Sequence, residues 1–116
     1  MKIKTTLTTL CCAVLACTAF ASTANAAKIG VSMPTQSLQR WNQDGHNLKD
    51  QLEAANHKVE LLYAGDNDIP TQLSQIENLI ASNCEVLVVA PIDGGSLTQV
   101  LQGAKEKGIP VVSYDR

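Results

Sequence analysis

Residues 86–97 read Val86-Leu87-Val88-Val89-Ala90-Pro91-Ile92-Asp93-Gly94-Gly95-Ser96-Leu97. The first five are apolar without alternation, the pattern of a strand covered on both faces. Asp93-Gly94-Gly95-Ser96 then turns the chain, with Ser96 suited to cap the next helix. Leu97, Val100, Leu101 and Ala104 recur at helical spacing. Gly108 ends that helix, Pro110 follows, and Val111-Val112-Ser113 begins another strand. A doubly covered strand, a short turn, a helix and a second strand form a βαβ unit, whose strands run parallel.

The same alternation extends upstream. Lys28-Ile29-Gly30-Val31-Ser32-Met33 is a short β-rich run stopped by Pro34. Trp41, Leu48, Leu52 and Ala55 follow at helical spacing, and Lys58 to Tyr63 (KVELLY) is a second strand closed by Gly65-Asp66-Asn67-Asp68. Pro70 suits the first turn of a helix, and Ile69, Leu73, Ile76 and Ile80 mark its apolar face. The order βαβαβαβ with short turns predicts an α/β fold with a parallel sheet and right-handed crossovers.

Residues 1–26 have a different character. Lys2 and Lys4 precede an uncharged, mostly apolar run from Leu7 to Phe20, and Ala24 and Ala26 stand at the A-x-A spacing of a signal-peptidase site. Thr5, Thr6, Thr8, Thr9 and Thr18 make the run too polar and too short for a spanning helix, which needs about 20 predominantly apolar residues. The expected organisation is therefore a signal peptide, 1–26, and an exported chain, 27–116. Val14-Leu15-Ala16-Cys17 also resembles a lipobox, with Cys17 as the lipidated residue. That route ranks second, because Leu15 is not the favoured residue before the Ala and the A-x-A site lies closer to the folded region.

Leader removal resets the composition. Cys11, Cys12 and Cys17 leave with it, so Cys84 remains alone and the four cysteines are no disulfide framework. Cys84 precedes an apolar strand and has no companion base, which suits a small packed hydrophobe. Loss of Lys2 and Lys4 leaves seven Lys+Arg against eleven Asp+Glu, a net charge of −4. Nucleic acid, which requires a basic face, is excluded as a partner on this balance.

In parallel sheets ligands bind beyond the carboxyl ends of the strands. Four segments lie there: 34–41, with Gln36, Arg40 and Trp41; 64–68; 91–96, with Asp93 and two glycines; and 114–116, with Asp115 beside Arg116. A polyhydroxylated ligand needs partners that both donate and accept, which guanidinium and carboxylate supply together. Its apolar C–H face can lie on an aromatic ring. The same residues also admit plainer roles: Asp115 with Arg116 as a surface ion pair, Trp41 as core.

The motifs KIGVSMPT (28–35), RW (40–41), DIPTQLSQIENLI (68–80), VLVVAPIDGGSL (86–97) and KGIPVVSYDR (107–116) resemble the start of the periplasmic sugar-binding proteins of bacterial ABC transporters. These have the type I periplasmic-binding fold, and the similarity is strongest to xylose-binding and multiple-sugar (glucose/galactose) receptors. The resemblance implies a two-lobed binder that closes over a monosaccharide, of which this chain would be an N-terminal fragment with an incomplete first lobe. It implies sugar-hydroxyl contacts from Asp115, Arg116, Arg40 and Trp41, with the loop at Asp93 lining the cleft in some members. It further implies an ABC transporter permease as partner, with a chemoreceptor or sensor kinase as a further one, no cofactor and no enzymatic activity.

Other classes fit less well. No G-x-G-x-x-G follows the first strand and no P-loop is present, so nucleotide-binding enzymes lack their phosphate turn. A repressor's ligand-sensing domain would follow a helix-turn-helix, where this chain has an export signal. Asp66 and Asp68 lack the later Glu of a calcium loop, and His46 and His57 are not at metal-ligand spacing. A truncated product without function is the remaining alternative.

Overall fold

The computed structural model describes residues 26–115. Its elements are β1 (Lys28–Met33), α1 (Gln39–Ala54), β2 (Lys58–Tyr63), α2 (Ile69–Ala81), β3 (Val86–Val89), α3 (Thr98–Glu106) and β4 (Val111–Ser113). The expected alternation is thus present in full. The four strands form one parallel sheet in the order β2-β1-β3-β4. Ala90 continues the ladder just past β3, its N–H donating to the Ser32 carbonyl at 2.9 Å.

That order moves one way from β1 to β2 and the other way from β2 to β3 and β4. Right-handed crossovers then require α1 on one face and α2 and α3 on the other. The core divides in this way. Ile29, Val31, Met33, Val88 and Ala90 pack with Trp41 of α1, and Leu48, Leu52, Val59, Leu61 and Tyr63 close around them. Leu87, Val89 and Cys84 pack with Ile76 and Leu79 of α2 and with Leu97 and Ala104. Successive residues of β3 therefore point to opposite covered faces, the physical reason for its unbroken apolar run. Cys84 is buried, as its sequence context predicts. Ala55, expected on the buried face of α1, instead lies one residue past the helix and is exposed.

All three helices end alike. Asn56, Asn83 and Gly108 have φ of 69°, 63° and 73°. The N–H of the residue after each, at His57, Cys84 and Ile109, reaches back to Leu52, Leu79 and Ala104 at 3.0, 3.3 and 3.0 Å. These are Schellman caps, which satisfy the last carbonyls and turn the chain into the next strand. The start of α3 departs from expectation. A short 3-10 turn, Gly95–Leu97, precedes it, and Ser96 sits inside that turn as a donor and does not cap α3. The Asp93 carboxylate accepts both its N–H, at 3.3 Å, and its hydroxyl. The carboxylate thus braces the turn, while the N-cap residues, Gly94 of the 3-10 turn and Leu97 of α3, make no side-chain cap bond. The bonds to its carboxylate, the Ser96 side chain first, hold Asp93 below its ordinary pKa.

Among the described residues no helix is long and apolar enough to cross a membrane. Of the expected leader, 1–26, all but the last residue, Cys17 included, lies outside them.

Candidate functional site

Because β2 and β3 flank β1, the loops leaving β1 and β3 part in opposite directions, which opens the carboxyl edge of the sheet between them. The loop after β1 is built firmly. Thr35 is fully buried, pairs with Asp66 in an isolated bridge, and its Oγ1 accepts the Ser37 N–H at 3.1 Å. The Ser37 hydroxyl donates to Asp66 Oδ1 at 3.1 Å. Asp68, at the N-cap of α2, accepts the Thr71 hydroxyl. Both aspartates are exposed turn residues, but each has a hydrogen-bond role.

The loop after β3 is fixed by Gln72 of α2, which is completely buried. Its Nε2 donates to the Ser32 hydroxyl at 3.1 Å and the Ala90 carbonyl at 3.0 Å, and its Oε1 accepts the Ile92 N–H at 2.9 Å. One amide thus ties the ends of β1 and β3 and the start of the 91–96 loop together. A buried polar side chain is stable only when satisfied in this way. The motif containing Gln72 stands out in the sequence, but its spacing gives no sign that this glutamine points inward.

Arg40 and Asp115 meet at the same edge. Arg40 lies in the first turn of α1 and Asp115 just beyond β4, and Nη2 of the guanidinium pairs with Oδ2 of the carboxylate. The side chains are 57% and 49% exposed, so the pair faces solvent and is presented rather than sequestered. The Arg40 guanidinium carbon lies 4.7 Å from the centroid of the Trp41 ring, a cation–π contact. Trp41 itself is only 5% exposed and belongs to the core around β1.

Asp44 joins this group from the next turn of α1. Its Oδ2 lies 3.6 Å from Arg40 Nε and accepts the Tyr114 hydroxyl at 3.0 Å. The bond to Asp44 raises the pKa of Tyr114, since the neutral phenol is the donor. Of the residues expected at the site, Arg40, Trp41 and Asp115 are brought together, Asp93 stays in its own turn, and Arg116 lies outside the described residues. The structure adds Asp44 and Tyr114 to this group. Tyr114 is a neighbour of Asp115 in the chain, but Asp44 lies 70 residues away and only the fold joins them.

His46 and His57 serve structure. His46 Nδ1 is 2.8 Å from the Asn42 carbonyl and 3.2 Å from the Tyr63 hydroxyl, while His57 Nδ1 accepts the Ala27 N–H at 3.1 Å. Among the described residues no group of three His, Cys, Asp or Glu side chains is placed to hold a metal.

A family model described as "periplasmic binding protein domain" matches residues 29–116. The chain belongs to that family. The multiple sugar-binding periplasmic protein SbpA of Azospirillum brasilense is 52% identical over 88 residues, 76% of this chain and 24% of the relative. The D-xylose-binding periplasmic protein of Escherichia coli K12 is 40% identical over 116 residues, all of this chain and 34% of the relative. A solved ABC transporter solute-binding protein from Clostridium phytofermentans, with bound β-D-glucose, superposes with a TM-score of 0.75 at 56% identity, over 77% of this chain and 27% of that one. The periplasmic binding domain seen here therefore spans about a quarter to a third of the length of these relatives.

Proposed function

We propose that this chain contributes part of the first lobe of an exported solute-binding component of a sugar ABC transporter, which takes an aldose such as xylose, glucose or galactose. The observation that carries the reading is the Arg40–Asp115 pair, exposed at the carboxyl edge of the sheet and braced from below by Trp41. Guanidinium and carboxylate side by side offer donors and acceptors to adjacent sugar hydroxyls. Arg116 adds a second guanidinium, and Trp41 acts through Arg40. Kinship with proteins named for binding multiple sugars and D-xylose supports the ligand class.

On this reading the leader, 1–26, directs export to the periplasm, with lipidation at Cys17 the less favoured route. The protein binds its sugar and does not transform it. Its partners are the transporter's permease and a chemoreceptor or sensor kinase.

The test is calorimetric titration of the mature protein, expressed from its complete gene, with D-xylose, D-glucose and D-galactose. Saturable binding of at least one is expected. Arg40→Ala and Asp115→Ala should each weaken it by about 1.5–3 kcal/mol, because each removes hydrogen bonds between a charged group and the sugar hydroxyls. That is about 10- to 150-fold in Kd. No binding of any of the three, or variants that bind like the parent, would refute the reading.

A further inference from the structure

We propose that Asp44 and Tyr114 are positioning residues for the ligand site: they hold Arg40 and Asp115 in the arrangement that meets a sugar. The inference rests on the function proposed above and adds two residues to it.

The main-chain ladder ties β4 to β3, and the Tyr114 N–H continues it to the Val89 carbonyl at 2.8 Å. Nothing in that ladder fixes β4 relative to α1, which covers β1 and β2. Yet the ligand pair is split across that gap, with Arg40 on α1 and Asp115 after β4. Two half-exposed side chains gain little from an isolated surface ion pair, and the rotamer entropy of the arginine opposes it. Something else must hold their register.

One oxygen, Asp44 Oδ2, is placed to do so. It accepts the Tyr114 hydroxyl at 3.0 Å and lies 3.6 Å from Arg40 Nε. Tyr114 is rooted at both ends, since its ring packs against the core cluster beneath α1 and its N–H sits in the ladder. The hydroxyl therefore sets the distance between the first turns of α1 and the residue that precedes Asp115. At the other end, the Asp44 carboxylate, 3.6 Å from Nε, and the Trp41 ring, 4.7 Å from the guanidinium carbon, confine the Arg40 head group. A confined guanidinium loses less entropy when a ligand takes its remaining donors.

Neither residue needs to touch the sugar, and that separates this role from direct contact. The test uses the mature protein from its complete gene, titrated with D-glucose and D-xylose, and the variants Asp44→Asn and Tyr114→Phe, singly, together, and in an Arg40→Ala background. Each single variant should weaken binding about 3- to 10-fold, and the double variant no more than the worse single, because both break one network. In Arg40→Ala, Asp44→Asn should weaken binding less than it does alone, because only the placement of Asp115 is left to lose. An NMR signature accompanies this: the Arg40 Nε–H chemical shift of the free parent should move in Tyr114→Phe, which keeps the ring and removes only the hydroxyl. Single variants with parental affinity, effects that multiply in the Arg40→Ala background, or an Nε–H unchanged in Tyr114→Phe would overturn the proposal. If Arg40→Ala and Asp115→Ala bind like the parent, or the parent binds neither sugar, the site reading itself fails and this inference falls with it.

Discussion

Gly45 shows how one residue's role can invert its intrinsic preference. It lies within α1, where glycine is about 1 kcal/mol worse than alanine. A Cβ there would collide with the Tyr63 hydroxyl and come within 3.1 Å of Tyr63 Cζ and 3.2 Å of Leu61. That hydroxyl donates to the Asn42 carbonyl at 3.2 Å, so Tyr63 cannot withdraw without losing a bond, and burial already raises its pKa. Gly45→Ala is expected to destabilise by about 1–3 kcal/mol, the usual range for overpacking. A urea midpoint that rises would show that helix propensity wins. Asp93 carries a pH signature of defined sign. Its folded pKa lies below the ordinary 3.8, so its contribution is present above that value and lost as pH falls through the folded value. The stability gap between the parent and Asp93→Asn should therefore be steady at neutral pH and close in acid. A gap independent of pH would mean that the Ser96 bonds do not form in solution.

Among the elements, α2 decides the order of the carboxyl edge, because Gln72 projects from its first turns into the sheet. Replacing Gln72 with Leu keeps the bulk but leaves the Ala90 carbonyl and Ile92 N–H without this partner. A loss of about 1–3 kcal/mol is expected from the unsatisfied groups. Faster hydrogen exchange at Ile92 should accompany it. Unchanged exchange there would mean that the 91–96 loop holds its shape without the glutamine. The helix ends show a related economy. Gly108 is recognisable as a stop, whereas Asn56 and Asn83 do the same work less visibly, since asparagine tolerates the left-handed region but also occurs in ordinary turns.

For the molecule as a whole, β4 is one of the two edge strands among the described residues. It is three residues long, and Val111 and Val112 are 36% and 50% exposed. Apolar edge strands template association. Residues 27–116 expressed alone are therefore expected to self-associate, and Val112→Lys should shift them toward monomer in sedimentation velocity. If the isolated segment is monomeric and unfolds cooperatively, β4 needs no cover. The same edge carries Tyr114 and Asp115, so anything that covers β4 also bears on the ligand pair.

The sequence by itself determined the class of fold and the span of nearly every element, because two-faced burial makes the strands of a parallel sheet uniformly apolar and helices leave a 3.6-residue stripe. It also placed Arg40 and Asp115 in segments beyond the carboxyl ends of strands, where the chemistry of a polyhydroxylated ligand made them candidates. It left Trp41 open between cleft and core, and gave no reason to single out Asp44, Tyr114 or Gln72. Those roles depend on contacts across 70, 40 and 20 residues of chain, which arise only once the sheet adopts the order β2-β1-β3-β4. Local patterning reports which face of an element is buried. The partner that a side chain meets on that face is set by the packing of elements distant in sequence, and only the tertiary structure decides it.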